Sequence, residues 1–185
     1  MVHTCPVRAL SVTLASAAAF GAVDALAVLQ GGWLLLVGNL VAVWLTVGFL
    51  AGRRAHQAHG AMLLGLAAET AAVIGFYLVK FATEGVPWGV ATFYLVAALA
   101  TGPLSGWLGF SSVHGRGAVS LFALAGIWAG EPLGWIGLQR LRTGQVSVDA
   151  EQLVLAGAEL LVGLFIGLAA YKATSDWRGK TSNTH

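Results

Sequence analysis

Apolar residues run along this chain in six long blocks, each holding few polar side chains and separated by short stretches rich in glycine and charged or histidine residues. The blocks are Ala9–Leu29, Trp33–Ala51, Ala61–Val79, Trp88–Phe110, Ala118–Leu138 and Leu153–Tyr171. A helix of about 20 apolar residues crosses the hydrocarbon core of a bilayer. The pattern therefore predicts an all-α polytopic membrane protein, a compact bundle of six transmembrane helices. It forms one domain over residues 1–172, and a polar tail over 173–185 is expected to be disordered. The first block has features of a signal peptide, with Arg8 before it and a cleavage-like Ala25-Leu26-Ala27. It is longer than a usual signal core and five more blocks follow, so it reads as a retained helix.

Punctuation between and inside the blocks refines this picture. Gln30-Gly31-Gly32 makes a tight hairpin of the first two helices, and the second stops at Gly52-Arg53-Arg54. The third carries Glu69 near its centre with Phe76 on the same face, and its end is marked by Tyr77 and Lys80, residues suited to a membrane interface. The fourth starts after Gly85-Val86-Pro87, and Pro103 frees the carbonyl of Leu99. Gly126, Gly130 and Gly134 recur every fourth residue in the fifth helix, as small residues do where membrane helices pack closely. Gly163 and Gly167 repeat the device in the sixth, and Ala15 and Ala19 place small residues on successive turns of the first.

Composition agrees. Only 10% of the 185 residues are charged and 57% are hydrophobic, against about 25% charged in soluble domains. The formal charge of +2 resides in loop cations and does not point to nucleic acid. With a cytoplasmic N-terminus, the inside segments hold Arg8, Arg53, Arg54, Arg116, Lys172, Arg178 and Lys180, the outside ones only Lys80, Arg140 and Arg142. That bias places a multi-pass protein in the cell membrane with both termini cytoplasmic. The single cysteine, Cys5, excludes an internal disulfide. His56 and His59 have the spacing of a metal pair, but no acidic or cysteine partner is near, so they read as interfacial residues. No metal or other cofactor is expected.

The polar residues left inside the blocks carry the chemistry. Asp24, Glu69, Glu131 and Glu159 are carboxyl groups within apolar spans, and no cation falls deep enough in the sequence pattern to pair with them. Such groups must be neutral, share protons or line a wet cavity. Glu131 precedes Pro132 and shares a helical face with Trp128 and Trp135. Asn39 and Tyr94 fall at similar depth, so polar positions from six helices converge on one layer. Phe76, Phe93, Trp128, Trp135 and Trp44 share that layer, whereas Trp33 and Trp88 suit interfacial anchoring. An uncharged acid among aromatic faces is able to protonate an alkene or epoxide, and the rings stabilise the cation that follows. The aspartate-rich motifs that bind magnesium and diphosphate are absent, which leaves protonation as the trigger.

Asp24, Ala68-Glu69-Thr70 and Gly130-Glu131-Pro132 together resemble a group of small bacterial multi-pass membrane proteins. The layout is similar to the membrane-bound terpene cyclases of prenylated-indole (drimentine-type) pathways. Fungal meroterpenoid cyclases, longer integral membrane proteins, use buried acids in the same spirit. The resemblance implies cyclisation of a farnesyl-type chain attached to an indole or other scaffold, with Asp24, Glu69 and Glu131 as the acids. Asn39, Phe76, Phe93, Tyr94, Trp128, Trp135 and Glu159 would then bind the prenylated substrate. Six helices, an outward pocket and the Ala15/Ala19 pair also resemble the substrate-capture subunits of energy-coupling-factor vitamin transporters. Genes for a prenyltransferase and an epoxidase beside this one would favour the first reading, genes for two ATPases and a coupling subunit the second. Glycine stripes serve contacts within and between chains alike, which leaves an oligomer open.

Overall fold

A computed structural model describes residues 6–30, 41–114, 117–143 and 150–182. They form six α-helices and, among the described residues, no strand: α1 Pro6–Leu29, α2 Val41–Gly52, α3 Ala58–Glu84, α4 Trp88–Val113, α5 Gly117–Thr143 and α6 Ala150–Ser182. Four segments, Leu10–Leu29, Ala58–Glu84, Trp88–Val113 and Gln152–Lys172, are long and apolar enough to cross a membrane. In α2 only 12 residues are described, and the first part of the predicted second span lies outside the described residues. The fifth helix, 27 residues long, has the length of a span and carries Glu131 and Pro132 inside it.

The chain divides into two compact units, Met1–Phe110 and Ser111–His185. In the first, α3 is the element on which the others pack. Its interior is built from alanine and glycine more than from large side chains: Ala17, Ala51, Ala68 and Ala72 form one buried cluster, and Ala25, Ala91 and Ala98 join Val28, Val73, Phe76 and Tyr77 in another. Lipid tails are as apolar as leucine, so helices in a bilayer gain little by burying large side chains and instead gain from close backbone approach. That approach is visible where α1 meets α3. A methyl group on Gly21 would collide with the Ala72 carbonyl, and one on Gly75 with the Ala18 carbonyl. At Gly106 of α4 the crowding is three-way, since α2 approaches through Gly52 and α3 through Ala61 and Gly65. The turn from α3 to α4 is made by Gly85, whose φ of 65° and ψ of 46° lie in the left-handed region open to glycine. With Val86 and Pro87 it joins the two helices in three residues.

In the second unit α5 and α6 pack together, and the seam differs from the predicted one. Gly163 of α6 faces the Ala125 carbonyl and the Ala129 amide at 2.9 Å each from a virtual methyl. Among the described residues, Gly126, Gly130 and Gly134 have no neighbour within 4 Å of theirs. A methyl on Gly167 would meet the Ala125 methyl at 3.8 Å, so the contact sets the two α6 glycines expected from sequence against two alanines a turn apart, and the α5 glycine stripe points elsewhere. The polar stretch expected to be disordered is helical as far as Ser182. Extending an existing helix carries no nucleation cost, so α6 outlasts its apolar segment.

Candidate functional site

The first unit holds a half-open cavity of about 450 Å³, within the roughly 300–1,000 Å³ range of small-molecule sites. Its long wall is one face of α3. Glu69, Val73, Phe76 with its neighbour Tyr77, and Lys80 recur at three- to four-residue spacing, and all line the cavity. The short turn at Gly85 folds α4 back alongside, which brings Thr101, Ala98, Ala97, Tyr94, Phe93 and Val90 to the facing wall. Val41, Trp44 and Leu45 of α2 and Val28 of α1 complete the lining, with Val86 from the turn.

Glu69 is 3% exposed, and α4 meets it with two hydroxyls one helical turn apart. Thr101 Oγ1 donates to Oε2 at 2.6 Å and Ser105 Oγ to Oε1 at 2.5 Å. Each hydroxyl also lies 3.0 Å from a carbonyl of its own helix, Ala97 for Thr101 and Gly102 for Ser105. A hydroxyl has one proton to donate and lone pairs to accept with. Around a carboxylate, both hydroxyls donate to Glu69. Around a carboxylic acid, the acid proton goes to one hydroxyl oxygen, and that hydroxyl turns its own proton to the backbone carbonyl. Both protonation states are fully hydrogen-bonded, a condition a buried acid rarely meets.

Room for this arrangement comes from α2. A methyl group on Gly48 would overlap Ser105 Oγ and Glu69 Oε1. Gly48→Ala is therefore expected to push the carboxyl off its hydroxyls and to cost about 1–3 kcal/mol of stability by overpacking. A lowered thermal midpoint of the detergent-solubilised protein would register it, and an unchanged midpoint would show slack around Glu69 that the packing does not suggest.

Above Glu69 the cavity is walled by rings in contact. Trp44 meets Phe76 edge-on at 5.5 Å, Phe76 meets Tyr77 at 5.2 Å, and Tyr77 lies 5.9 Å from Tyr94, which touches Phe93 at 5.5 Å. Phe20 extends the series behind Trp44 at 6.2 Å. At the far end Phe81 stacks on Trp88 at 4.3 Å.

Of the residues singled out from sequence, Glu69, Phe76, Phe93 and Tyr94 thus meet around one cavity, and Trp44 joins them. Asp24 belongs to the same unit and is buried, but it does not line the cavity, and its Oδ2 has no hydrogen-bond partner among the described residues. Asn39 lies outside the described residues, as does the side chain of Trp135. Trp128, Glu131 and Glu159 belong to the second unit. There Glu159 is 3% exposed, and the carboxyl of Glu131 lies within its electrostatic reach.

One expectation is corrected. The sequence pattern leaves the pocket without a cation, yet Lys80 lines it. Lys80 Nζ pairs with Glu84 at 2.5 Å, and its side chain is 14% exposed. Tyr77, read as an interfacial residue, also lines the cavity. The signal was present in the spacing: position 80 is eleven residues from Glu69, three helical turns along the same face, roughly 16 Å at 1.5 Å per residue. Thr101 and Ser105, one turn apart, were likewise open to reading as a pair.

No protein-family model matches the chain, and neither a curated protein nor a solved structure does.

Proposed function

We propose that this chain is a multi-pass protein of the cell membrane, both termini cytoplasmic, which takes a prenyl-type chain into the cavity and initiates its cyclisation by protonation from Glu69. The observation that carries the reading is the carboxyl of Glu69 on the wall of an apolar, ring-lined cavity, held by two hydroxyls that accommodate it with or without its proton. The acid form would transfer its proton to a terminal alkene or epoxide of a farnesyl-type chain borne by an indole or other scaffold. An internal double bond then closes the ring, with the positive charge passing along the faces of Trp44, Phe76, Tyr94 and Phe93. The final cation gives up a proton to water at the cavity mouth and a proton from water restores the Glu69 acid, so the product is isomeric with the substrate and no co-reactant is consumed.

The test is incubation of membranes carrying the protein with farnesylated indoles and phenols, uncharged and carboxylate-bearing, alkene and epoxide forms alike. The expected result is a product of unchanged mass and altered retention that is missing from membranes without the protein. Unchanged substrate throughout the panel would reject the cyclase. A capture role is the second reading, and one observation favours it: Ala15 and Ala19 are exposed on α1, as a docking stripe for a transport partner would require. Tight vitamin binding by purified protein that turns over no prenylated substrate would select that reading.

A further inference from the structure

Among the described residues, the two charged ones that line the cavity stand at opposite ends of its long wall. Glu69 lies at the middle of α3 and Lys80 near its C-terminal end, three turns on. The α3 residues that line the cavity between them, Val73, Phe76 and Tyr77, are apolar or aromatic. Lys80 already holds one anionic group, the carboxylate of Glu84, and the two differ in accessibility. The lysine side chain is 14% exposed and the glutamate 45%. An ammonium sunk at the rim of an apolar slot, with a half-exposed partner free to swing into water, is a place where one anion can replace another.

We propose that Lys80 is the head-group site of this cavity and that its ligand is a single-chain amphiphile with one negative charge, a monocarboxylate in the simplest case. The head group displaces Glu84 from Lys80, and the chain runs along Phe76 and Val73 toward Glu69. One cation matches one charge. The inference rests on the cavity being a ligand site and gives that ligand a direction. The acid-bearing end of the cavity meets the tail of the chain, and the scaffold end is anionic and faces the α3–α4 turn.

Binding of radiolabelled lauric acid and dodecanol to the full chain in phosphatidylcholine nanodiscs, at mildly alkaline pH, tests this. The acid is expected to bind about tenfold tighter than the alcohol. Lys80→Gln should erase the difference, Lys80→Arg should keep it, and Glu84→Gln should strengthen acid binding severalfold by freeing the lysine. Equal binding of acid and alcohol, unaltered in Lys80→Gln and Glu84→Gln, would overturn the head-group site and leave the cavity reading standing. Lys80 would then be an interfacial anchor. Binding of neither probe would overturn both. Anionic phospholipid added to the nanodiscs supplies the same charge from the bilayer. If it displaces the acid from the parent protein but not from Lys80→Gln, the lysine serves a lipid and the proposal falls.

Discussion

Glu69→Gln is expected to reduce turnover of a prenylated substrate by about 10²- to 10⁴-fold, the range of a lost general acid, with little change in the yield of folded protein. The argument lies in the hydrogen bonds. Glutamine has the shape of the acid. Its amide oxygen can accept from one of the hydroxyls of Thr101 and Ser105, and its NH₂ can donate to the other. The hydroxyl that receives the amide proton turns its own proton to the carbonyl of Ala97 or Gly102, each 3.0 Å away. One amide N–H is left facing the cavity without a partner, at a cost of about 1–3 kcal/mol, so the substitution removes the transferable proton at a modest structural cost. Glu69→Leu would take away the hydrogen-bonding partner too, and so would mix a structural effect with the chemical one. The pair to measure is product formation and thermal midpoint. Full activity in Glu69→Gln would show that the acid holds helices together and does no chemistry.

Gly106→Val is expected to prevent the first unit from assembling. A side chain there meets the Ala61 carbonyl and the Gly65 backbone, and the same residue's backbone is what Gly52 packs on. Overpacking of a core costs about 1–3 kcal/mol when side chains can yield. Here the obstructing atoms are main chain on two helices, so the effect should reach or exceed the upper end. The expected readout is loss of the monodisperse peak on size exclusion in mild detergent. Gly126→Val provides the contrast, since among the described residues no neighbour lies within 4 Å of its methyl position, and the peak should survive. Monodisperse Gly106→Val protein with a normal thermal midpoint would refute the three-way crossing.

The contrast between these two glycines marks what the chain makes legible. Six helices followed from the length of the apolar blocks, and the glycine spacing identified small residues as the packing currency. Spacing alone does not say which way a stripe points, because glycine has no side chain to reveal a preferred face. Gly126, Gly130 and Gly134 therefore looked like the seam that Gly163, Ala125 and Ala129 form. Glu69 was conspicuous as an acid in an apolar run, and Phe76, Phe93 and Tyr94 were placed near it by helical period and depth. Thr101 and Ser105 were not, because small hydroxyls are common in membrane helices and become informative only once a partner helix is aligned. Lys80 reads as an interfacial residue, as a cation at a helix end ordinarily does, and its place on the cavity wall adds to that reading. Its distance from Glu69 along one face was readable, but the cavity between them was not.

The paired acceptors around Thr101 and Ser105 also bear on the pace of any reaction. Shifting the hydrogen bonds between the two protonation states needs only O–H rotation, among the fastest side-chain movements, and no displacement of helices. With a proton drawn from water at the cavity mouth, rearrangement around the acid would then not limit the cycle. Transit of a long greasy molecule in and out of the bilayer would set kcat, and turnover in deuterated water should run at nearly the rate found in ordinary water.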